Sequence, residues 1–554
     1  YCRGQTHDRI HFEHPSEMTG GLPPQPNVAV GEDQRILAER LVAKEVLRQS
    51  FKSIGVTWAD VDKSDTHGEL GRAADAHPRI DELEIWLQAN QSIVERVARM
   101  VARGTSINYQ LLVDHANRLP TQIRKALSRG EFVEPALANR LAEAGILPMY
   151  GMPTNVRGLN FSLRKPGGEA GDALALDRPF DQAITEFAPG AERTWDKRRI
   201  KPIGICGSVM FRQPNQWEST GSPVGAAYAL LVCPDCRQLQ VASADQDTLQ
   251  VASASWWNQD WANNPPGSVN CPACAGQNAR PYMSVAPRAF VSDLDTSHPA
   301  VGSGERGGKS SGSFIASPSI SGNVTYESRA NCYLALGRQA QVYRINNNRG
   351  GLFGFQKVSE ISDPGGFRLK GNIWIGVEDA QSASNRIAIT APKTTDVFAV
   401  RMKDELGLAF FDEHPSLTRR RAAWFSAATI IQRSIALELD VDSLDIEIAS
   451  VHQLAQYGAE LYLADAHPNG AGLVEWAFRN FEEILRGCVL GTGSARRMGS
   501  LIREETKRAE VEPWRSPDIL LRGFRNRQLH GLLDWELGIE LLATMLDKDY
   551  RPGL

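Results

Sequence analysis

LLVCPDCRQL (230–239) and VNCPACAGQ (269–277) place four cysteines in two Cys-x-x-Cys pairs, Cys233/Cys236 and Cys271/Cys274. Two thiolate pairs brought together make the tetrahedral sulfur shell that suits zinc, and each pair is a tight knuckle that presents both sulfurs to one ion. The spacing predicts a zinc ribbon holding a single structural Zn2+. Two disulfides, or four buried thiols, are the competing reading; the proline after the first cysteine of each pair argues against them. The intervening residues 237–270 make a longer loop than a minimal ribbon needs and carry Trp256, Trp257 and Trp261, expected either to pack over the metal or to face a partner. Such a zinc fixes a fold and catalyses nothing, so the ribbon alone names no function.

Working outward, 554 residues exceed what one core supports, and two to four domains are expected. A net charge of −4 and a pI near 6.3 give no overall polyanion-binding signature, so any nucleic-acid contact must be local. Beyond the ribbon only Cys2, Cys206, Cys332 and Cys488 remain, a usage that fits a reducing cytoplasm. The sequence has no run of 18 apolar residues and no charged-then-apolar leader, so no membrane is expected as a partner. Tyr1 is not an initiator methionine, from which we expect the chain to begin inside a longer gene product.

The expected fold class is α+β and multidomain. Residues 1–30, rich in His, Pro and Gly, read as a docking segment. In 31–144 the runs ILAERLVAKEVLRQSF and IDELEIWLQANQSIVERVARMVARG repeat apolar residues three and four apart, predicting a small helical domain. Residues 145–292 read as a β-rich middle with the zinc ribbon (233–274) inserted. Residues 293–323, Gly/Ser-rich and poor in apolar side chains, read as a flexible loop. Residues 324–554 read as a C-terminal α/β domain. Within it YLALGRQAQVYRINNNRGGLFGFQKV predicts a hairpin turning at NNNRGG. A long helix is expected from Thr418 to Leu439, then a strand AELYLADA, a helix LVEWAFRNFEEILRG and a last amphipathic helix in GLLDWELGIELLATML.

Two stretches imitate phosphate-binding loops. GSGERGGKS (302–310) ends like a P-loop, but the position five residues before Gly308 is Ser303, and neither a strand nor a helix pattern flanks it. Gly470-Ala471-Gly472 lies between a strand and a helix start, where free amides and the helix dipole can hold an anion such as a DNA phosphate; the alternative is a tight strand-to-helix connection.

Several segments, in order, carry a resemblance: YCRGQTHDRIHFEHPSEMTGGLPPQP (1–26), LAEAGILPMYGMPTNVRGL (141–159), RPFDQAITEFAPGAE (178–192), the ribbon, VYRINNNRGGLFGF (342–355), LADAHPNGAGLVEW (463–476) and RGFRNRQLHGLLDWELGIELL (522–542). Together they resemble the C-terminal region of large superfamily 2 DEAD/DEAH-type helicases, which ends in a domain of unknown function shared with repair helicases of the MrfA kind. Close relatives of these helicases sit in antiphage systems such as DISARM and Druantia. The resemblance makes 1–30 a motor-exit segment and 324–554 a helicase-associated domain, and it implies a cytoplasmic DNA-binding role in antiviral defence. Many relatives carry a second cysteine cluster before the asparagine–histidine–LLDW stretch. Here that segment is WRSPDILLRGFRN (514–526), so packing by Trp514, Leu520, Leu521 and Phe524 is expected to replace metal.

No phosphate loop with correct spacing and no Asp-Glu-x-His box is readable, so ATP and Mg2+ are expected only through an associated motor domain or subunit. The implied partners are DNA, single-stranded or at a junction, that motor, and other defence-system proteins. Candidate DNA contacts are Lys197, Arg198, Arg199 and Lys201; Arg419, Arg420 and Arg421; Gly470 and Gly472; and Arg522, Arg525 and Arg527 beside His530. The blander reading of each basic run is a solvated face. His530, Asp465 and His467 read as structural hydrogen-bonding groups, since no nucleophile or pocket accompanies them. A zinc-stapled scaffold that binds other defence subunits without touching nucleic acid is the second functional reading.

Overall fold

The structure is a computed structural model. It describes Phe12 and residues 35–55, 70–149, 155–162, 174–295, 313–315, 324–377, 385–403, 418–453, 459–509 and 516–550, with short breaks inside these ranges. The docking segment 1–30, apart from Phe12, and the P-loop look-alike at 302–310 lie outside the described residues. The fold is α+β, with twelve α-helices among the described residues and a large mixed sheet. No described helix is long and apolar enough to cross a membrane.

The apolar stripe of the first predicted helix forms as Arg35–Ile54, burying Ala38, Val42, Val46 and Phe51. The second predicted helix is broken in two, Ala76–Ala89 and Gln91–Ala102, at Asn90 (φ −122, ψ 33), whose side-chain amide donates to the Trp86 carbonyl at 2.9 Å. LVEWAFRNFEEILRG breaks in the same way, into Leu473–Arg479 and Phe481–Leu490 at Asn480 (φ −108, ψ 17), with Asn480 donating to the Trp476 carbonyl at 2.9 Å. An asparagine that bonds the carbonyl four residues back competes with the ladder, and the apolar period runs on across it unchanged. Helices Tyr109–Asn117, Leu119–Ser128 and Leu137–Glu143 complete one core around Val46, Leu83, Val97 and Leu112.

The longest strand, Asn385–Met402, is the spine of the sheet. Ile387 is paired at once with Met283, parallel, and with Phe353, antiparallel; Ile389 is paired with Val285 and Asn346. At its far end the spine pairs with Ala459–Asp465. Arg368–Val377 pairs with both Pro202–Cys206 and Gln216–Thr220. Strands from 145–292 and from 324–554 therefore share hydrogen bonds in one sheet. Ser313–Ile315, inside the stretch expected to be a flexible loop, pairs with Val342–Arg344.

The predicted hairpin at NNNRGG does not form. Cys332–Asn346 and Phe353–Ser362 lie end to end along one side of the spine, Asn346 opposite Ile389 and Phe353 opposite Ile387. Asn348, Arg349, Gly350 and Leu352 all take positive φ, so the chain rounds a corner instead of folding back. Asn346 and Asn347 accept from the Asn348 and Gly350 amides, and the buried Asn346 donates to the Ile184 carbonyl at 2.8 Å. These asparagines pin the corner, and the distant spine supplies the strand partner that a turn signal cannot reveal.

Thr418–Leu439 has the predicted bounds but is buried nearly all round, Ala423, Trp424 and Ala427 included. Helix Trp535–Leu546 crosses it at Gly538, where a Cβ would stand 2.9 Å from the Ser426 Cβ. Asp534 caps that helix by accepting from the Glu536 and Leu537 amides. Leu334, Leu336, Phe398, Val400, Leu461 and Leu463 close this core from the sheet side.

Candidate metal centre and nucleic-acid contacts

The ribbon grows out of the main sheet. Its first knuckle turns between strands Val224–Val232 and Leu239–Ala244; its second leads into Arg280–Pro287, which pairs with Val224–Val232. Both knuckles share one backbone device. The Cys233 amide donates to the Gln238 carbonyl at 3.0 Å and the Cys271 amide to the Gly276 carbonyl at 2.7 Å, folding each Cys-x-x-Cys around a point. Asn278 donates to the Asp235 carboxylate at 3.1 Å and ties the knuckles together. Gly276 leaves the room this needs, since a Cβ there would meet the Asp235 carboxylate at 2.7 Å and the Cys274 sulfur at 3.2 Å.

The four sulfurs lie within 4.8 Å of one another, with Cys233–Cys274 at 3.7 Å and Cys236–Cys271 at 3.8 Å. A tetrahedron of sulfurs each about 2.3 Å from zinc has an edge of roughly 3.8 Å, whereas a disulfide needs about 2.05 Å. The geometry fits one Zn2+ and excludes the paired disulfides. The Cys236 thiol holds Cys233 down to about 5, and that same bond, with burial, pushes Cys236 up; burial also raises Cys274. Packed thiols of this kind sustain one thiolate among themselves, and a divalent cation is what lets four ionise together. Of the tryptophans, Trp256 packs against the cysteine cluster, and Trp257 stands edge-on to Trp256 and to Trp261.

The candidate DNA contacts separate into exposed and inward-turned groups. Arg193–Trp195 and Arg198–Ile200 form a two-stranded hairpin whose turn, Asp196-Lys197, takes positive φ at both positions, as a tight two-residue turn requires. Lys197, Arg198, Arg199 and Lys201 are exposed along it, while Ile200 is buried and the Trp195 ring lies 4.8 Å from Phe161. Arg419 and Arg421 are exposed, but Arg420 between them is buried and burial lowers its pKa. Helical rotation turns the middle residue of three into the core, so this run offers two outward cations. Arg522 donates to the Ser516 hydroxyl at 3.3 Å and Arg527 is exposed, whereas the Arg525 side chain lies outside the described residues.

The glycine turn holds an anion already. The Asp465 carboxylate, fully buried, accepts from the Ala471, Gly472 and Val474 amides at 2.6, 2.8 and 3.0 Å. Gly470 and Gly472 thus belong to a closed connection, the tight-turn alternative, because the strand's own terminal residue fills the place a phosphate would take. The same loop wires the helical region to the sheet. Asn469 donates to the Glu143 carbonyl at 3.0 Å and its amide to the Thr394 carbonyl at 2.7 Å, while Arg40 donates to the Asn469 carbonyl at 3.4 Å. His467 bonds Asp445 at 3.2 Å, and His530 donates to the Asn526 side chain at 2.9 Å and to the Gly523 carbonyl at 3.1 Å, all structural bonds.

Sequence reading passed over Arg433. It is buried in the long helix, donates to the Asp518 and Arg522 carbonyls at 2.7 and 2.6 Å, and is lowered to about 10 by desolvation. With Leu520 and Leu521 buried beside it, this guanidinium fastens the segment that lacks a second cysteine cluster; Trp514 and the Phe524 side chain lie outside the described residues. An arginine met once in a helical period gives no sign of this role. Arg433→Met, close in length but without donors, is expected to lower stability by about 1–3 kcal/mol, since two part-buried carbonyls lose a charged donor. Hydrogen exchange read at residues 516–530 checks it; unchanged protection there would refute the fastening role.

No family model matches this chain, and no curated protein does. A comparison with solved structures aligns 47% of this chain with 27% of the DUF1998 helicase MrfA bound to DNA, at 12% identity and a TM-score of 0.24. The match thus spans about a quarter of that protein's length, and at that score the likeness carries no argument about fold or activity.

Proposed function

We propose that this chain is the non-motor, DNA-guiding part of an ATP-dependent superfamily 2 helicase or translocase acting in cytoplasmic antiphage defence. ATP hydrolysis and its Mg2+ are supplied by an associated motor. The ordered sequence segments support the motor association, and the hairpin Arg193–Ile200 is the observation that supports DNA contact. It carries Lys197, Arg198 and Arg199 on a tight two-residue turn, anchored at the hairpin's base by the buried Ile200 and beside the turn by Trp195. In this reading residues 31–144 form a helical domain, 145–292 the ribbon-bearing β region, and 324–554 the helicase-associated domain. One Zn2+ on Cys233, Cys236, Cys271 and Cys274 fixes the strands from which the ribbon projects.

Reversing Lys197, Arg198, Arg199 and Lys201 to glutamate is the test. Each phosphate neutralised on a single strand contributes about 0.7 to the slope of log affinity against log salt. Loss of four contacts should flatten that slope by roughly 3 and weaken binding most at low salt. An unaltered slope would remove the hairpin from the DNA path. The second reading, a scaffold without nucleic-acid contact, is favoured by the burial of Arg420 and the filling of the Gly470–Gly472 turn by Asp465. It predicts that partner-protein binding survives the same reversal.

A further inference from the structure

We propose that the outward face of the sheet around Tyr333 is a stacking platform for the unpaired bases of a single-stranded nucleic acid. The inference rests on the DNA-guiding reading and assigns it a surface on other strands than the basic hairpin. Strands Val324–Arg329, Cys332–Asn346, Asn385–Met402 and Ala459–Asp465 run side by side and antiparallel. Period-two alternation sends Leu334, Val400 and Leu461 inward and Tyr333, Arg401 and Glu460 outward. Tyr326 stands opposite Ala335, diagonal to Tyr333 on the same face.

Tyr326 is 75% exposed and Tyr333 44%, large aromatic surfaces for soluble sheet positions. Arg401, the cross-strand partner of Tyr333, holds its guanidinium carbon 5.3 Å from the ring centroid, and the Lys403 ammonium lies 6.0 Å from it. No hydrogen bond joins either tyrosine hydroxyl to a described residue, and the Arg401 guanidinium lies over the Tyr333 ring and near the Tyr462 hydroxyl. The bordering carboxylates are engaged: Arg329 holds Glu327 at 2.6 Å, and Glu460 accepts the Tyr462 hydroxyl at 2.6 Å. Lys403 donates to the Ala330 carbonyl at 2.9 Å, so the outward groups that remain are the two tyrosine rings and the Arg401 guanidinium. That pairing is complementary to a polymer that alternates π-faces with negative charge, and a flat sheet can meet those π-faces only where the bases are unpaired.

The test uses the full chain, a fluorescent oligothymidylate, an abasic strand of equal length and a duplex. Base stacking on an aromatic is worth about 1–3 kcal/mol, so Tyr333→Ala should weaken oligothymidylate binding roughly 5- to 150-fold, with the salt slope unchanged. Tyr333→Phe should restore it, since the π-face and not the hydroxyl is used, and Tyr326→Ala should add a further loss. Binding of the abasic strand should be the same for wild type and variants. Equal oligothymidylate affinity for wild type and Tyr333→Ala, or an unaltered abasic preference, would overturn the platform while leaving the DNA-guiding reading in place. A wild-type chain that binds none of the three nucleic acids would overturn both.

Discussion

Replacing Cys233 and Cys236 with serine is expected to take the bound zinc from one equivalent to none and to lower the thermal midpoint by about 10 °C or more. The reasoning starts from the strands. Val224–Val232 and Arg280–Pro287 meet at the knuckles, and Arg280–Pro287 also pairs with the spine strand. Without an ion, four sulfurs drawn within 4.8 Å must keep their protons or repel one another. Knuckle backbones that fold around that point then lose the interaction that fixes them, and fraying passes along Arg280–Pro287 into the central sheet. Structural zinc in isolated fingers is worth about 10–16 kcal/mol, an upper bound here because the ribbon strands also have sheet partners. Metal analysis with thermal unfolding, before and after a chelator, reads the result. A metal-free preparation with the wild-type midpoint would refute the centre.

The parts of this molecule that were legible in its sequence are those whose cause is local. A Cys-x-x-Cys knuckle is decided within four residues, a helical stripe within a dozen, and the basic run Lys197–Lys201 is a row of near-adjacent cations, though the hairpin that carries it shows only in the fold. What escaped depends on partners far along the chain. NNNRGG carries a turn signal, but the spine strand forty residues later decides that it is a corner. Asp465 reads as a structural hydrogen-bonding group near a glycine turn, but only the fold shows which groups it bonds, the amides six to nine residues ahead. The Tyr326, Tyr333 and Arg401 face exists through strand register, which no single segment contains.

Asp465 and its neighbour Asp396 are expected to respond to substitution in opposite directions. Asp465→Ala strips the acceptor from three amides, of which that of Val474 is buried while Ala471 and Gly472 are exposed enough for water to replace it, so a loss of about 3 kcal/mol is expected. Loosening of Asn469 follows, and with it the tie to the Glu143 carbonyl. Asp396 has a single amide, from Gln339 at 3.2 Å, and burial with the nearby Asp465 and Glu475 carboxylates outweighs Arg338, pushing its carboxyl up to about 6. A carboxyl whose folded pKa lies above its unfolded value binds protons more tightly when folded, so its contribution favours the fold at low pH. Stability attributable to Asp396 should fall as pH rises from about 4 to about 6 and stay low above that. Asp396→Asn keeps the acceptor for Gln339 and removes the ionisation, so it should stabilise the protein at pH 7 by about 1–2 kcal/mol, below the full linkage value because the site keeps some solvent and Arg40 faces it. Denaturant unfolding across that pH range distinguishes the two. The pair fails as described if Asp396→Asn destabilises at pH 7 or leaves the wild-type pH slope unchanged.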